Sequence, residues 1–517
     1  MPIAEFLGIS PRERGWTAGR LRRVILCVAG FAALGFLGLV GATNLVLRSD
    51  WLSGQINSDP ATLFITYTGA RSLLPGRLRF DTLLLRSRDS NIEWEARLDG
   101  VSIRVRLSDL LRRRFRAGSV RANALSFRLR ERLERPEATP ARLARYPRIA
   151  GFGEPPLLDP PAPPADPGNP WRVVVDDLAV GVVTEIWIDS WHWTGSARLA
   201  GGLDLLPGRR AEVFPAELSV GGGTLRFGDR EVSRETEGAV RAALPRFETR
   251  DYPGNEVWKL MSGMAVLHGT LQGLDFLSAE GDGLRVAGGV GSARIGVVLD
   301  GGRGRARVEA DARRFVAQAG KRVFRGSARA VVKAREIDFH EGIVSFSGTT
   351  LALSDLSLDG AAGDAWDGTF TAPGARLHLV DGSVDARVVA RLRDGRPLVA
   401  LLPPGPSKWL AGLLDLRDFG AEGRIVHTPG RLTISKASLE AGTFFLAGDY
   451  RETRRRSWGA LLIRKGPLSV GVGLGSRAAA FHILEATEWF EKEGRPGGLR
   501  TDQPRDLAEL APTRQNR

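Results

Sequence analysis

The residue types able to bind metals or attack substrates are few in this chain, and they are scattered. Six histidines stand at 192, 268, 340, 378, 427 and 482, none at ligand spacing from another histidine or from Cys27, the single cysteine. That pattern does not build a zinc site. The chain has no Gly-x-Ser-x-Gly elbow, no phosphate loop ending in Gly-Lys-Ser/Thr, and no Gly-x-Gly-x-x-Gly between a strand and a helix. Gly471, Gly473 and Gly475 imitate a nucleotide loop, but the fingerprint helix does not follow them and they read as a β-turn. The one constellation that suggests chemistry is Trp187, Trp191 and Trp193 around His192, with Glu185 and Asp189 close by in sequence. Aromatic platforms and paired carboxylates serve glycoside hydrolysis. Strand alternation, however, puts Trp191 and Trp193 on one face and His192 on the other, which reads as a packed aromatic cluster. No catalytic, metal or cofactor residues are assigned, no cofactor is expected, and a non-enzymatic protein is the reading. Hydrolysis of cell-wall glycan is kept as a remote alternative.

The elements around these residues say more. Val24 to Leu47 is a twenty-four-residue hydrophobic run, interrupted only by small or weakly polar residues such as Thr43 and Asn44. At about 1.5 Å per helical residue it is long enough for a ~30 Å hydrocarbon core. Arg12, Arg14, Arg20, Arg22 and Arg23 precede it against Glu5 and Glu13. This bias predicts a single-pass anchor in a bacterial inner membrane, with segment 1–23 cytoplasmic, 24–47 spanning, and the rest exported. A cleavable signal ending near Val40 and Ala42 is the alternative, and the run exceeds the ~7–15 apolar residues usual for one. Cys27 lies inside the run, so no intrachain disulfide staples the exported part.

A formal charge of +14 over 517 residues suggests nucleic acid, but only seven of the 73 basic residues are lysine, a skew expected of a GC-rich genome. Export also removes DNA as a partner, and no nucleic-acid binding is expected. Eleven arginines between Arg104 and Arg135 face only Asp109, Glu131 and Glu134. They read equally as a solvated strand face or as a surface near anionic lipid headgroups.

Beyond the anchor the periodicity is that of strands. Val101, Ile103, Val105 and Leu107 alternate with Ser102, Arg104 and Arg106, giving one apolar and one basic face. Leu78 with Phe80, Ile92 with Trp94, and Leu125 with Phe127 and Leu129 continue the pattern between turn signals. Ser108 is expected to cap a short helix over Asp109 to Arg114. These features define a β-rich segment, 48–135. Eleven prolines over 136–170 read as a linker. A long β-rich body, 171–477, follows as many short strands, among them Trp171 to Leu178, Ala211 to Val220, Thr224 to Gly228 and Ile343 to Ser347. Short helices are expected within Asp251 to His268 and Lys408 to Leu414, an amphipathic helix over 478–492, and a disordered tail over 493–517.

The fold class is therefore mainly β: an N-terminal transmembrane helix, then an elongated antiparallel sheet with few short helices. One-sided strands must hide their apolar face. Sheets closed on each other as a sandwich would do so, and so would one curved sheet whose groove is filled by acyl chains. Periodicity does not separate the two.

Two passages carry a family resemblance. Ile65 to Arg71, Leu74-Pro75-Gly76-Arg77-Leu78-Arg79-Phe80 and Val101 to Leu111 resemble the start of AsmA-like proteins, a group that includes TamB-type members. Gly430 to Ile434, Ala437 to Gly442 and Ala447 to Tyr450 are similar to the closing strands of that group. The resemblance implies an inner-membrane protein whose body lies in the periplasm and binds or moves phospholipid toward the outer membrane through a hydrophobic groove. Val101, Ile103, Val105 and Leu107 are the candidate groove residues. Membrane phospholipid is the expected partner, and a scaffold binding another envelope or outer-membrane protein is the alternative.

Overall fold

The computed structural model describes residues 36–38, 40–49, 54, 57, 63–88, 91–158, 171–206, 209–252, 254–278, 284–319, 322–359, 365–394, 417–453, 456–475 and 479–494. The first strands are β1 (Leu63–Thr68), β2 (Arg71–Leu74), β3 (Arg77–Arg88), β4 (Ile92–Val105) and β5 (Arg114–Glu131). After a crossover come β6 (Arg172–Ile188), β7 (Trp191–Leu206), β8 (Arg210–Phe227), β9 (Arg230–Glu248) and β10 (Ser262–Leu271). The middle holds β11 (Leu284–Asp300), β12 (Arg303–Ala319), β13 (Arg322–Asp338), β14 (Ile343–Phe346), β15 (Thr349–Leu358) and β16 (Trp366–His378). The last are β17 (Val384–Asp394), β18 (Arg417–Thr428), β19 (Arg431–Ala441), β20 (Phe444–Thr453), β21 (Ser457–Lys465), β22 (Leu468–Leu474) and β23 (Ala479–His482).

All 23 belong to one sheet. Apart from one joint, each strand pairs antiparallel with the next, and two of them are broken in the middle. β1 and β2 share one side of β3, as a single strand broken at Gly69 and Ala70. β14 and β15 likewise share β13 and β16 across a break at Ser347 and Gly348. The one parallel joint is β5 against β6, from Arg114↔Arg172 to Leu129↔Ile188. A parallel joint needs a crossover, and the proline-rich segment supplies it. The sheet thus continues across 136–170.

Residues 132–158 of that crossover pack against the end of β5. Leu133 bridges Leu157, and Tyr146, Pro147, Ile149 and Pro156 are buried. Thr139 caps the short helix α2 (Pro140–Leu143), its Oγ1 accepting from Arg142 N–H. Arg130 is 1% exposed and holds Glu93 at 2.7 Å and Glu154 at 2.6 Å, while donating to the carbonyls of Pro147 and Gly153. Arg132 donates to Leu157 O and stands 4.0 Å from Glu93.

Several strands are longer than their alternation suggests: β8 spans 18 residues and β9 spans 19, where sequence reading expected short pieces. Bulges are the reason. Glu235, Arg314, Asp355 and Lys436 take φ of 50°, 56°, 53° and 52° inside β9, β12, β15 and β19, each beside a register shift. A bulge inserts one residue and inverts the in-out pattern while the strand continues.

Two of the helix expectations are corrected, and the one within Asp251 to His268 is met by a 3₁₀ helix. Ser108 does not cap: α1 is Leu107–Leu110, with Arg106 at the cap position and no side-chain bond there. Asp251 to His268 holds a 3₁₀ segment, Gly254–Leu260, and then β10. Within 478–492 the chain forms β23, α3 (Ala486–Trp489) and a π-turn at Phe490–Gly494. Lys408 to Leu414 and the tail beyond 494 lie outside the described residues.

Most of the 24–47 run also lies outside them, and no helix among the described residues is long and apolar enough to cross a membrane. Residues 36–38 and 40–47 are helical, with Phe36, Leu37, Leu45 and Val46 exposed. This helix is tied to the free edge of the sheet. Asn44 Nδ2 donates to Ser72 O (2.7 Å) and Asn44 Oδ1 accepts from Ser72 N–H (2.8 Å), as a neighbouring strand would. Tyr67 donates its hydroxyl to Leu47 O at 2.9 Å. Asn57 repeats the device on β1, donating to Ile65 O (2.9 Å) and accepting from its N–H (2.6 Å). Together the two asparagines blunt an edge that would otherwise invite pairing with another strand.

One ion pair on the sheet gives a pH signature. Asp204 on β7 is buried, and the hydrogen bonds from Arg172 hold its carboxyl below the ordinary range, burial opposing them. A depressed folded pKa gives stability that is present above the unfolded value near ~3.9 and is lost as pH falls through the folded value. Asp204→Asn is expected to flatten this acid limb: the drop in melting temperature on acidification, read by circular dichroism, becomes smaller than in the parent.

Candidate lipid-binding face

In a ladder, directly opposed residues project to the same face, so registers can be followed from strand to strand. Starting at Ala122 on β5, successive partners are Val180, Leu199, Leu218, Val240, Ala265, Val297, Ala306 and Ala334. The same row continues through Phe346, Ala375, Ala386, Ile425, Ile434, Tyr450, Gly459 and Leu474 on β22. No charged residue interrupts it.

Beside it, a second row runs Tyr67, Leu83, Leu98, Leu125, Val183, Ala197, Val220, Gly238, Leu267, Ile295, Val308 and Val332. A third takes over on the C-terminal half: Ala310, Ala330, Leu351, Phe370, Ala390, Ala421, Leu439, Leu446, Ile463 and Val470. On β12 the inward positions are Ala306, Val308, Ala310 and Ala312, while Arg303, Arg305 and Arg307 point the other way and are exposed. One face is an apolar lane. The reverse face carries the charge, with pairs such as Arg387 with Glu422 at 2.8 Å and Arg241 with Glu217 at 3.1 Å, alongside exposed Met264, Val266 and Val298 and an apolar cluster under α3 on β21.

Four inward positions at ~6.8 Å spacing make the lane roughly 20 Å wide, and about twenty strand spacings of ~4.8 Å make it roughly 100 Å long. The nominal area is on the order of 2,000 Å², well above the few hundred Å² of the largest apolar patch on an ordinary monomer, even at half exposure. Its burial is graded. At the N-terminal end Val101, Ala117, Val180 and Val183 are almost fully buried in a cluster drawn from β3 to β7 and from Leu47 of the N-terminal helix. From β8 onward the first row is half-buried, Ala334 excepted. A second cluster joins β12 through β22. Each cluster is assembled from neighbouring strands, and among the described residues no second sheet packs over the face. β1 and β23 do not pair with each other, so the sheet is open.

Of the four groove residues expected from sequence, Val101, Ile103 and Val105 share the apolar face at its deeply buried end, opposite exposed Ser102 and Arg104. Leu107 is corrected: it leaves the strand for α1 and is 46% exposed. The half-buried stretch of the lane, from β8 to β22, was missed. Its signal is the small-residue alternation in segments such as Arg303 to Ala310, which only the register assembles into rows.

The aromatic cluster divides between the faces. Trp193 is buried on the lane and lies over Gly195 and Gly223, where a Cβ would stand 2.7 and 2.5 Å from its ring. Trp187 stacks on His192 at 4.3 Å on the other side. Glu185 accepts from Ser126 (2.6 Å) and pairs with Arg128 and His192. Burial pushes its carboxyl up, but these partners together bring it below the ordinary value. Asp189 accepts from Glu131 N–H at 2.7 Å, and burial raises its carboxyl. Both carboxylates thus serve the β5–β6 joint. Gly471 and Gly473 lie in β22 under the indole of Trp489, which stacks on His482 at 4.1 Å. The described residues contain no cluster of three potential metal ligands. Two indole N–H groups, of Trp193 and Trp366, are buried on the lane clusters with no hydrogen-bond acceptor among the described residues.

No family model, curated protein or solved structure matches the chain.

Proposed function

We propose that this chain is a non-enzymatic, membrane-anchored envelope protein that binds phospholipid by its acyl chains along the apolar lane and passes it between membranes. The observation that carries the reading is the set of uninterrupted apolar rows on an open sheet whose other face carries the charge. An acyl chain matches such a surface because it brings apolar area and no unpaired polar atom, and each buried CH₂ contributes about 0.8 kcal/mol. A lane roughly 20 Å across is comparable with one leaflet of a ~30 Å hydrocarbon core. Headgroups would then stay in water at the margin, where His427 and Glu452 extend the ladder of Val384 and Leu432. The hydrophobic run 24–47, the exposed Phe36 and Leu37 and the arginine-rich N-terminus support anchoring in the bacterial inner membrane with the sheet on the periplasmic side.

The scaffold reading keeps one specific support. Among the described residues β23 pairs only with β22, and Phe481 on it is 53% exposed, so this end offers a strand edge to a protein partner. Native mass spectrometry of the full chain in mild detergent, with lipid extraction of the same sample, separates the two. Several phospholipids per chain are expected; an empty chain with a stoichiometric protein bound would overturn the lipid reading.

A further inference from the structure

We infer that α1 and the β2–β3 turn form a tip that docks on an anionic phospholipid bilayer, at the end of the sheet from which the N-terminal helix emerges. The inference rests on the reading that this helix leads into a membrane.

Direction comes from the tethers. Leu47 meets Tyr67 on β1 and Asn44 meets Ser72 on β2, so going back toward residue 36 the helix follows β2 toward the turn at Leu74 to Arg77. Residues 40–44 are helical and rise ~6 Å, while the two strand residues from Ser72 to Leu74 rise ~7 Å. Val40 is therefore carried about level with the turn, and Leu37 before it is exposed. The turn in turn touches α1's entry, Val105 N–H donating to Gly76 O at 2.7 Å.

The tip has the composition of an interfacial device. Leu111, following α1, is 91% exposed, and Leu107 and Leu74 are also exposed, a cost in water with no packing return inside the chain. Around them stand Arg77, Arg104, Arg106 and Arg112, all exposed. Arg77 and Arg104 are directly opposed across β3 and β4, an arrangement that repels, and neither has a carboxylate partner among the described residues. Asp109 is the acidic group within α1, and Arg116 nearby is paired with Asp176. Anionic headgroups would relieve the Arg77 and Arg104 repulsion while the leucines enter the acyl boundary. Each arginine near such a surface contributes ~1 kcal/mol, about five-fold in partition, and the attraction is screened by salt. The deeply buried N-terminal end of the lane adjoins this tip.

The test labels Leu111→Cys with an environment-sensitive fluorophore in a full-length chain carrying Cys27→Ser, reconstituted in vesicles containing quencher-bearing lipid. A Leu468→Cys label, at the exposed start of β22, serves as the distal control. With vesicles of phosphatidylcholine and phosphatidylglycerol the Leu111→Cys label is expected to be blue-shifted and quenched, more than in phosphatidylcholine alone, and Leu468→Cys not. Arg104→Gln, Arg106→Gln and Arg112→Gln together should reverse this, about five-fold per residue. A Leu111→Cys label that stays water-exposed on both vesicles overturns the tip, whether or not lipid co-purifies. Quenching at Leu111→Cys without lipid on the lane keeps the tip and removes the transfer reading. Concentration-dependent self-quenching between labels, equal on both vesicles, would assign the leucines to a second copy and also overturn it.

Discussion

Glutamate at Val297 and at Ile425 is expected to strip bound phospholipid from the full-length chain while leaving the sheet folded. Both positions lie in the first apolar row, on β11 and β18, and both are half-buried, not sealed. Such a side chain can turn its carboxylate toward water when the lane is empty, so the stability cost is about 1–2 kcal/mol per site. An acyl chain lying over it would force desolvation. A charge at the centre of a hydrocarbon layer costs about 2.5–3.5 kcal/mol on insertion scales, and 1.4 kcal/mol is tenfold in affinity, so each site should weaken lipid binding on the order of a hundredfold. The matched control is Arg391→Glu on β17, whose side chain is exposed on the charged face opposite Thr369 and Gly420. Lipid extraction followed by phosphorus analysis reads the result. Equal lipid in the lane variants and the parent, with unchanged circular dichroism, would show that the rows do not hold acyl chains.

The choice of Val297 and Ile425 over Val101 and Ile103 comes from the structure. Val101 is 1% exposed and packed in the tightest part of the core, so a charge there would unfold the local strands and report on folding alone. The alternation of Val101 to Val105 was legible because the register shift beside it, between Arg104 and Val105, puts its extra residue Gly118 on β5 and leaves the parity of β4 intact. The rows of β9, β12, β15 and β19 were not legible, because Glu235, Arg314, Asp355 and Lys436 each shift the parity in mid-strand. Where several in-facing residues are alanine or glycine, as in β12, the hydrophobic signal is also weak per residue. The row exists only through partners tens of residues away, which sequence periodicity does not contain.

The chain's class was accessible for a complementary reason. Turns at Gly302, Gly382, Gly430 and Gly466 take φ of 78°, 68°, 82° and 57°, and glycine there punctuates the meander visibly. The choice between sandwich and open sheet was not accessible, because both satisfy the same one-sided alternation. What separates them is the failure of distant strands to pack: a 23-stranded open sheet lies far beyond the ~10 strands of ordinary twisted sheets. The β5–β6 joint was hidden too, since prolines over 136–170 signal only that no strand is present. Nothing in that composition says that the two flanking strands run parallel and adjacent.

Removing the carboxylate of Glu93 is the second large effect expected, and it should be confined to the N-terminal end of the sheet. Glu93 is almost fully buried between Arg130 and Arg132, which are almost fully buried themselves, with Arg88 at 3.4 Å on its third side. Taking away one member of a buried set leaves cations uncompensated, a cost of about 3–5 kcal/mol. Because each strand contacts chiefly its neighbours, stability here is close to a sum of local terms, as in repeat proteins. Glu93→Ala should therefore release residues 132–158 and the β4–β5 ends to rapid hydrogen exchange and proteolysis, while β12 to β22 keep their protection. Arg130 also donates to Pro147 O and Gly153 O, so its loss would leave those carbonyls unpaired and unpin the crossover. The combination Glu93→Leu with Arg130→Met tests the cause. If uncompensated charge is what destabilises, adding Arg132→Met to this pair recovers much of the loss, since apolar replacement of a buried ionic set is often close to neutral. A triple variant as labile as Glu93→Ala would mean that the bonds to the crossover carbonyls, not the charges, hold the parallel joint closed.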